Sequence, residues 1–422
     1  MQLAQDTSPV HLSYCTNIHA GDHWEDVFPQ LQRDIPKVKA RVCPQAPFGI
    51  GLRVSKRMSE QLQGQTLEEF KNWLAAEDLY VFTINGFPYG PFHGTAVKEN
   101  VYQPDWTDTA RLTYTIDLIN LCAALNPPEG YASISTVPGT YKQWAQGALP
   151  SISDNLLQAI AHCVKVKQET GVTVALSLEP EPCCLLETTS EAVAFFQSWL
   201  YSDAAIARLC QLSECSRADA DTAIHTHIGV CYDVCHSAVE YEDSELSLTQ
   251  LKSAGIPIVK LQLSSALQVP QVDVDSLKHL TAFNEPVYLH QVVEKRNGRL
   301  HRFSDLNDAI AWREACIRAE FATVPAMEAS SAAIDIHNIN ISENSPAEWR
   351  VHFHVPVFME QLPHFGTTQK ELLTVLALQK ASTVSRHLEV ETYTWDVLPA
   401  ECRNVEIDEA IARELLWVKD KL

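Results

Sequence analysis

The sequence predicts an α/β fold of the TIM (β/α)8 barrel type, in which eight parallel strands ring a core, helices wrap the outside, and an inserted hairpin and helical excursion comes before the last strands. Three observations predict it. Short β-rich runs alternate with periodic helical stretches along most of the chain, the pattern of a parallel sheet with helical crossovers. Polar residues gather at the C-terminal ends of those runs, where a barrel keeps its active site. No glycine-rich phosphate loop follows a strand, because GIGLRVS lacks the full GxGxxG spacing, so the rival open doubly wound sheet has little support.

The first candidate strand, HLSYCTNIH (11–19), ends with Asn17 and His19 on one face; His19 is a candidate acid or base. FGIGLRVS (48–55) follows, then LYVFTING (79–86), which runs into NGFPYGPFHGTAVKENVY. That loop is long, aromatic and glycine-bearing, suited to covering a substrate. In it Phe87, Tyr89, Phe92 and His93 would stack on a planar or aromatic ligand, or simply pack on the barrel rim. YASISTVPG (131–139) comes next, and VTVALSLEP (172–180) delivers Glu179 ahead of a stiff Pro180-Glu181-Pro182 turn. IGVCYDVCH (228–236) carries Asp233 and His236, and IPIVKLQLSS (256–265) carries Lys260 and Gln262. WRVHFHVPVF (349–358) and HLEVETYTW (387–395) complete nine candidates, one more than a closed barrel needs, so one belongs to an excursion. Helical periodicity fills the gaps at 67–78, 110–125, 153–171 and 369–383. Residues 266–348 break the rhythm. There Asn297-Gly298 is the strongest hairpin signal in the chain, between YLHQVVEKR, which holds His290, and RLHRFSD.

The 422 residues are read as one barrel domain, 1–422, with 266–348 inserted into it. No apolar run approaches the roughly 18 residues of a membrane span, and the N-terminus has neither a basic nor an apolar signal region, so a cytoplasmic location is expected. Twelve scattered cysteines without a zinc-ribbon pair read as reduced, buried thiols rather than disulfides. A formal net charge of −21 argues against nucleic acid as a partner, because that binding energy comes from neutralising phosphates.

In HLEVETYTW the period of two puts His387, Glu389, Glu391 and Tyr393 on one face. On its own this reads first as an ordinary half-exposed strand. Collected from several strand ends, however, Glu179, Asp233, His236, His352, His354 and Glu391 form a set whose carboxylates would repel one another at a barrel mouth unless a cation lay between them. Mixed carboxylate and imidazole ligands suit one zinc, manganese or iron ion. Singly, each has a bland alternative: Glu179 pairing locally, Asp233 capping a helix, and His352 and His354 exposed on a hairpin. Glu389 sits one layer deeper than Glu391, and Lys260 faces inward by the same parity, which predicts a buried Lys260–Glu389 pair.

This set resembles the xylose-isomerase-like TIM barrels. In their epimerase-like members a glutamate, an aspartate, a histidine and a second glutamate bind one divalent metal, and Glu179, Asp233 and Glu391 correspond to three of these. Gln262 stands where the histidine would be. The DxxH and RVDxH motifs of the endonuclease IV branch resemble Asp233-Val-Cys-His236 and Arg350-Val-His352-Phe-His354, but Asn85 and Val137 replace that branch's early histidines. More specifically, SYCTNIHAGDHW, TINGFPYGPFHG, ISTVPG, LSLEPEP and HLEVETYTWDVLP resemble the EboE family of Ebo-cluster metabolite traffic proteins over nearly the whole chain. The resemblance implies a small-molecule metabolite, other Ebo-cluster proteins as partners, and isomerase- or epimerase-like proton transfer in secondary-metabolite production or traffic. Under it the ion is held by Glu179, Asp233, His236, His354 and Glu391, with Gln262 and His352 as further ligand candidates, and His19 or His236 supplies acid–base chemistry. Asn17, Asn85, Phe87, Tyr89, His93, Lys260, Gln262 and His290 remain for substrate. A non-catalytic barrel that carries a metabolite is the alternative, and an endonuclease the third reading.

Overall fold

Strands covered by helices outside and by one another's side chains inside are buried on both faces, and eight such runs form the ring. The computed structural model describes residues 1–3, 9–91, 97–321, 347–398 and 405–422. In it the barrel strands are β1 (Val10–Tyr14), β2 (Phe48–Arg53), β3 (Leu79–Asn85), β4 (Tyr131–Thr136), β5 (Thr173–Leu178), β6 (Ile228–Asp233), β7 (Ile258–Leu263) and β8 (His387–Val390). Each pairs in parallel with the next from β2 through β7, and β8 lies between β7 and β1. A parallel bridge between Cys15 and Gly51 joins β1 to β2 and closes the circle. The chain is a TIM (β/α)8 barrel.

The closing seam is short of backbone pairing, and side chains supply the rest. The Ser13 hydroxyl donates to the Gly49 carbonyl at 2.7 Å and accepts from the Gly51 amide at 3.2 Å, while Thr16 Oγ1 accepts from the Arg53 amide at 2.8 Å. Gly51 must lack a side chain here. A Cβ on it would stand 1.7 Å from Glu389 Oε1 and 2.8 Å from the Tyr14 carbonyl. Deeper in the ring, Glu389 Oε2 lies 2.5 Å from Lys260 Nζ with both side chains fully buried, so the expected pair forms. Lys260 Nζ also donates to Ser135 Oγ at 3.3 Å.

The ninth candidate strand lies outside the ring. Glu348–His354 is a central strand of a second, antiparallel sheet, flanked by Val292–Arg296 on one side and Ala266–Val269 on the other. The hairpin anticipated at Asn297-Gly298 joins Val292–Arg296 to Arg299–Phe303, with φ of 51° and 74° at the two turn residues, the left-handed conformation that Asn and Gly tolerate. This sheet continues to Phe365–Thr367 before Gln369–Ala381 leads back to β8. Nothing in an alternating apolar pattern distinguishes a barrel strand from a strand of a neighbouring sheet.

The strands are also shorter than their sequence runs suggest. The first stops at Tyr14 and turns through a 3-10 segment, Thr16–Ile18, and the last stops at Val390. The chemistry-bearing residues therefore stand at strand ends or in the turns that follow, where tight backbone turns set their direction.

Candidate metal centre

Four strand ends and one strand of the second sheet border the site. Glu179 follows β5, Asp233 ends β6, Gln262 lies near the end of β7, and Glu391 follows β8. Asp233 also caps the short helix Val234–Val239, accepting from the His236 amide at 3.0 Å and from Ser264 Oγ at 2.7 Å. The cap and the site are thus compatible, because only Oδ1 is used. A ligand oxygen from each of Glu179, Asp233 and Glu391 lies within 4.8 Å of the others.

Glu391, like Asp233, is fixed rather than free to turn away. Glu391 Oε1 accepts from Asn17 Nδ2 at 2.7 Å and Asn85 Nδ2 at 3.1 Å, and Asn85 Oδ1 accepts from the Phe87 amide. Glu179 Oε2 and Asp233 Oδ2 have no partner although they are buried. Two orphan carboxylate oxygens within reach of Glu391 are costly without a donor or cation. Burial, then the charges of Glu391 and Asp233, drives the Glu179 carboxyl well above its ordinary range; burial and the neighbouring Asp233 and Glu389 do the same to Glu391. Lys260 works against both shifts from below. A divalent cation fits this donor set, which is rich in oxygen and short of positive charge.

The second sheet adds imidazoles. His352 Nε2 stands 3.1 Å from His236 Nε2 and 3.3 Å from His354 Nε2, so the endonuclease-like spacing in the sequence does bring three rings together. Above them lies a cavity of about 60 Å³ walled by Asn17, Asn85, Phe87, Glu179, His236, His352 and Glu391 among the anticipated residues.

Other anticipated residues lie elsewhere. His19, expected in a strand facing the mouth, belongs to the turn after β1; its Nε2 meets the Tyr14 hydroxyl at 3.0 Å, its Nδ1 stands 3.6 Å from Asp34, and it is not part of the cavity wall. Burial lowers its pKa to about 4. Lys260 is spent on Glu389 beneath the site rather than offered to a substrate. His290 is buried between Glu285, at 2.9 Å, and the His352 carbonyl, at 3.1 Å, where it supports the insertion strand. Tyr89 packs edge-on against Tyr114, away from the cavity wall. Gln262 is fully buried below the cavity, and Phe92 and His93 lie outside the described residues.

Glu181, Tyr102, Tyr288 and Tyr393 line the same cavity but were not anticipated as site residues. Glu181 Oε1 accepts from the Tyr102 hydroxyl at 2.8 Å and from Gln291 Nε2 at 3.4 Å, and its Oε2 has no partner. The signal was present as Glu-Pro-Glu: in extended backbone, residues two apart share a face. Reading Pro-Glu-Pro only as a stiff turn concealed it.

Neither a family model nor a curated protein matches the chain. Among solved structures, the probable 3-DHS dehydratase AsbF of Bacillus anthracis, involved in petrobactin synthesis, is 13% identical with a TM-score of 0.44, over 97% of this chain and 98% of that one. A xylose isomerase-like TIM barrel protein from Mycobacterium smegmatis, in complex with magnesium, is 11% identical with a TM-score of 0.47, over 97% of each chain. The IOLI protein with a bound zinc atom is 12% identical with a TM-score of 0.45, over 97% and 96%. Likeness at this level says nothing of activity.

Proposed function

We propose that the chain is a metal-dependent enzyme of the xylose-isomerase-like kind that moves a proton on a small polar or aromatic metabolite. We further propose that it is of the EboE type, acting in secondary-metabolite production or traffic beside other Ebo-cluster proteins. The first part rests on one observation: buried, unpartnered oxygens of Glu179 and Asp233 converge with Glu391 at the foot of a partly open cavity. The second rests on the long phrases shared with that family.

In this reading Glu179, Asp233 and Glu391 hold the ion, which when bound supplies Lewis-acid polarisation of a substrate carbonyl. Asn17 and Asn85 aim Glu391, and Lys260 offsets part of the carboxylate repulsion from below. Glu181 is the acid–base candidate, because it lines the cavity, keeps one oxygen free, and has the other fixed by Tyr102 and Gln291. The rings of Phe87, Tyr102 and Tyr288 enclose the ligand and exclude water.

The test is metal analysis of the untagged chain and its Glu179→Gln variant, followed by NMR detection of solvent deuterium exchanged into candidate carbonyl metabolites. Loss of the ion in the variant and metal-dependent exchange in the wild type are expected. Unchanged metal content in Glu179→Gln sinks the site, whereas ligand capture without exchange makes the barrel a carrier.

A further inference from the structure

We infer that the roof of this cavity is a gate: the segment Val97–Val101 lifts off the turn at 285–290 to admit a ligand and clasps it again when the site is shut. The inference rests on the cavity being where the ligand binds, and it says how that cavity is entered.

The space itself calls for movement. At about 60 Å³ the cavity is far below the roughly 300–1,000 Å³ of sites that hold a small molecule. Its floor cannot give way, because Asn85, Glu179 and Glu391 stand at the ends of barrel strands whose positions the closed ring sets. The roof is built otherwise. Val97, Lys98 and Val101 come from the connection after β3, and Tyr288 and Leu289 from the stretch before Val292–Arg296, so two irregular segments meet over the site.

The clasp between them is slight. The amides of Val97 and Lys98 both point at the Val287 carbonyl, at 3.0 and 3.3 Å. Lys98 Nζ donates to Asp305 Oδ2 at 2.7 Å, with the two side chains 24% and 15% exposed. A carbonyl shared by two donors and an ion pair within reach of water are both cheap to break. Lys98 also holds φ at 42°, a left-handed conformation that a lysine adopts only at a cost. Opening relieves that cost.

Both sides of the clasp are firmly mounted, so the break falls between them. Tyr102, which ends the lifting segment, is fully buried; its ring stacks on Tyr141 with centroids 5.3 Å apart, and its hydroxyl donates to Glu181 at 2.8 Å and accepts from Gln291 Nε2 at 2.7 Å. Across the roof, Glu285 accepts from the amides of Val287 and Tyr288 at 2.6 and 2.8 Å, and Asp305 Oδ1 accepts from those of His290 and Leu306 at 3.1 and 2.9 Å. Tyr102 is thus the hinge. It keeps Glu181 set while the lip in front of it moves.

The reactivity of a cysteine in the cavity wall tests the gate. Asn85→Cys replaces a wall residue that is 2% exposed by one of similar size. Its alkylation by iodoacetamide in the purified full-length chain is followed by peptide mass mapping, alone and combined with Lys98→Gln. The combined variant is expected to label roughly two- to fivefold faster, the range that an ion pair of this exposure supports. About 1 M sodium chloride should speed the single variant by a similar factor and leave the combined one unchanged, because the salt screens only a pair that is present. Native Cys122, buried in the helix Thr109–Ala124, should keep one slow rate throughout. Equal rates at position 85 with and without Lys98, or a rise at Cys122 that matches the rise at position 85, overturn the gate. If Asn85→Cys does not fold, Asn17→Cys reports from the same cavity. The readout uses neither substrate nor ion, so failure of the carboxylate metal site would leave its result standing.

Discussion

At the scale of single residues, the barrel interior is governed by charges placed where water cannot reach them. Lys260 and Glu389 are both fully buried and face each other at 2.5 Å. Removing one partner leaves the other charge uncompensated, so Lys260→Met should cost about 3–5 kcal/mol in urea unfolding, and the double variant with Glu389→Met should recover most of it. A double variant as unstable as the single one would mean that the pair is not coupled. Asn17 acts on the site without touching an ion, by donating to Glu391 at 2.7 Å. Asn17→Ala is expected to weaken metal binding by roughly 10–100-fold, as outer-shell changes do, in a competition titration against a chelating dye. The strand parity of HLEVE revealed the Lys260–Glu389 pair before any coordinates, because a period of two is rigid. It could not reveal Glu181, where prolines had replaced the strand.

At the scale of elements, the positions of the strands were legible and their ends were not. Apolar runs mark the buried span, but Asp233 and Glu391 look the same in sequence whether they extend a strand or begin the turn after it. The β1–β2 seam shows how one small residue governs an element: Gly51→Ala drives a methyl into the Glu389 carboxylate and the Tyr14 carbonyl. An overpacking loss of about 1–3 kcal/mol and a lower Tm are expected, together with weakened metal binding as Glu389 shifts beneath the site. The C-terminal helix, Ile407–Lys421, carries a different device. Glu414 is buried, accepts from the Val357 amide at 3.0 Å and Thr392 Oγ1 at 2.7 Å, and burial raises its pKa to about 7. A carboxyl whose folded pKa exceeds its unfolded value stabilises fully below the unfolded value and loses that contribution as pH rises to the folded one. Between pH 4.5 and about 7 this amounts to about 3 kcal/mol, and Glu414→Gln should flatten the fall in urea midpoint across that window. An unchanged slope would assign the fall to other groups.

For the whole molecule, the barrel was legible from the count and spacing of its strands, whereas the contribution of the insertion was not. His352 and His354 reach the mouth on a sheet whose pairing is set across long stretches of chain, from Ala266–Val269 through Val292–Arg296 to Phe365–Thr367. Sequence neighbours carry no record of such pairing. Total charge, by contrast, needs no structure. At −21 the molecule should show no measurable binding to an abasic DNA duplex at physiological salt by fluorescence anisotropy; tight, salt-sensitive binding would restore the endonuclease reading.

The place of β8 between β7 and β1 has a consequence for how the chain comes into being. During synthesis the first seven strands emerge before the strip that joins their two unpaired edges. Until β8 arrives Lys260 lacks Glu389 and the mouth lacks Glu391. The open sheet presents bare strand edges, and yield in cells should depend on chaperones that shield such edges more than final stability alone would suggest.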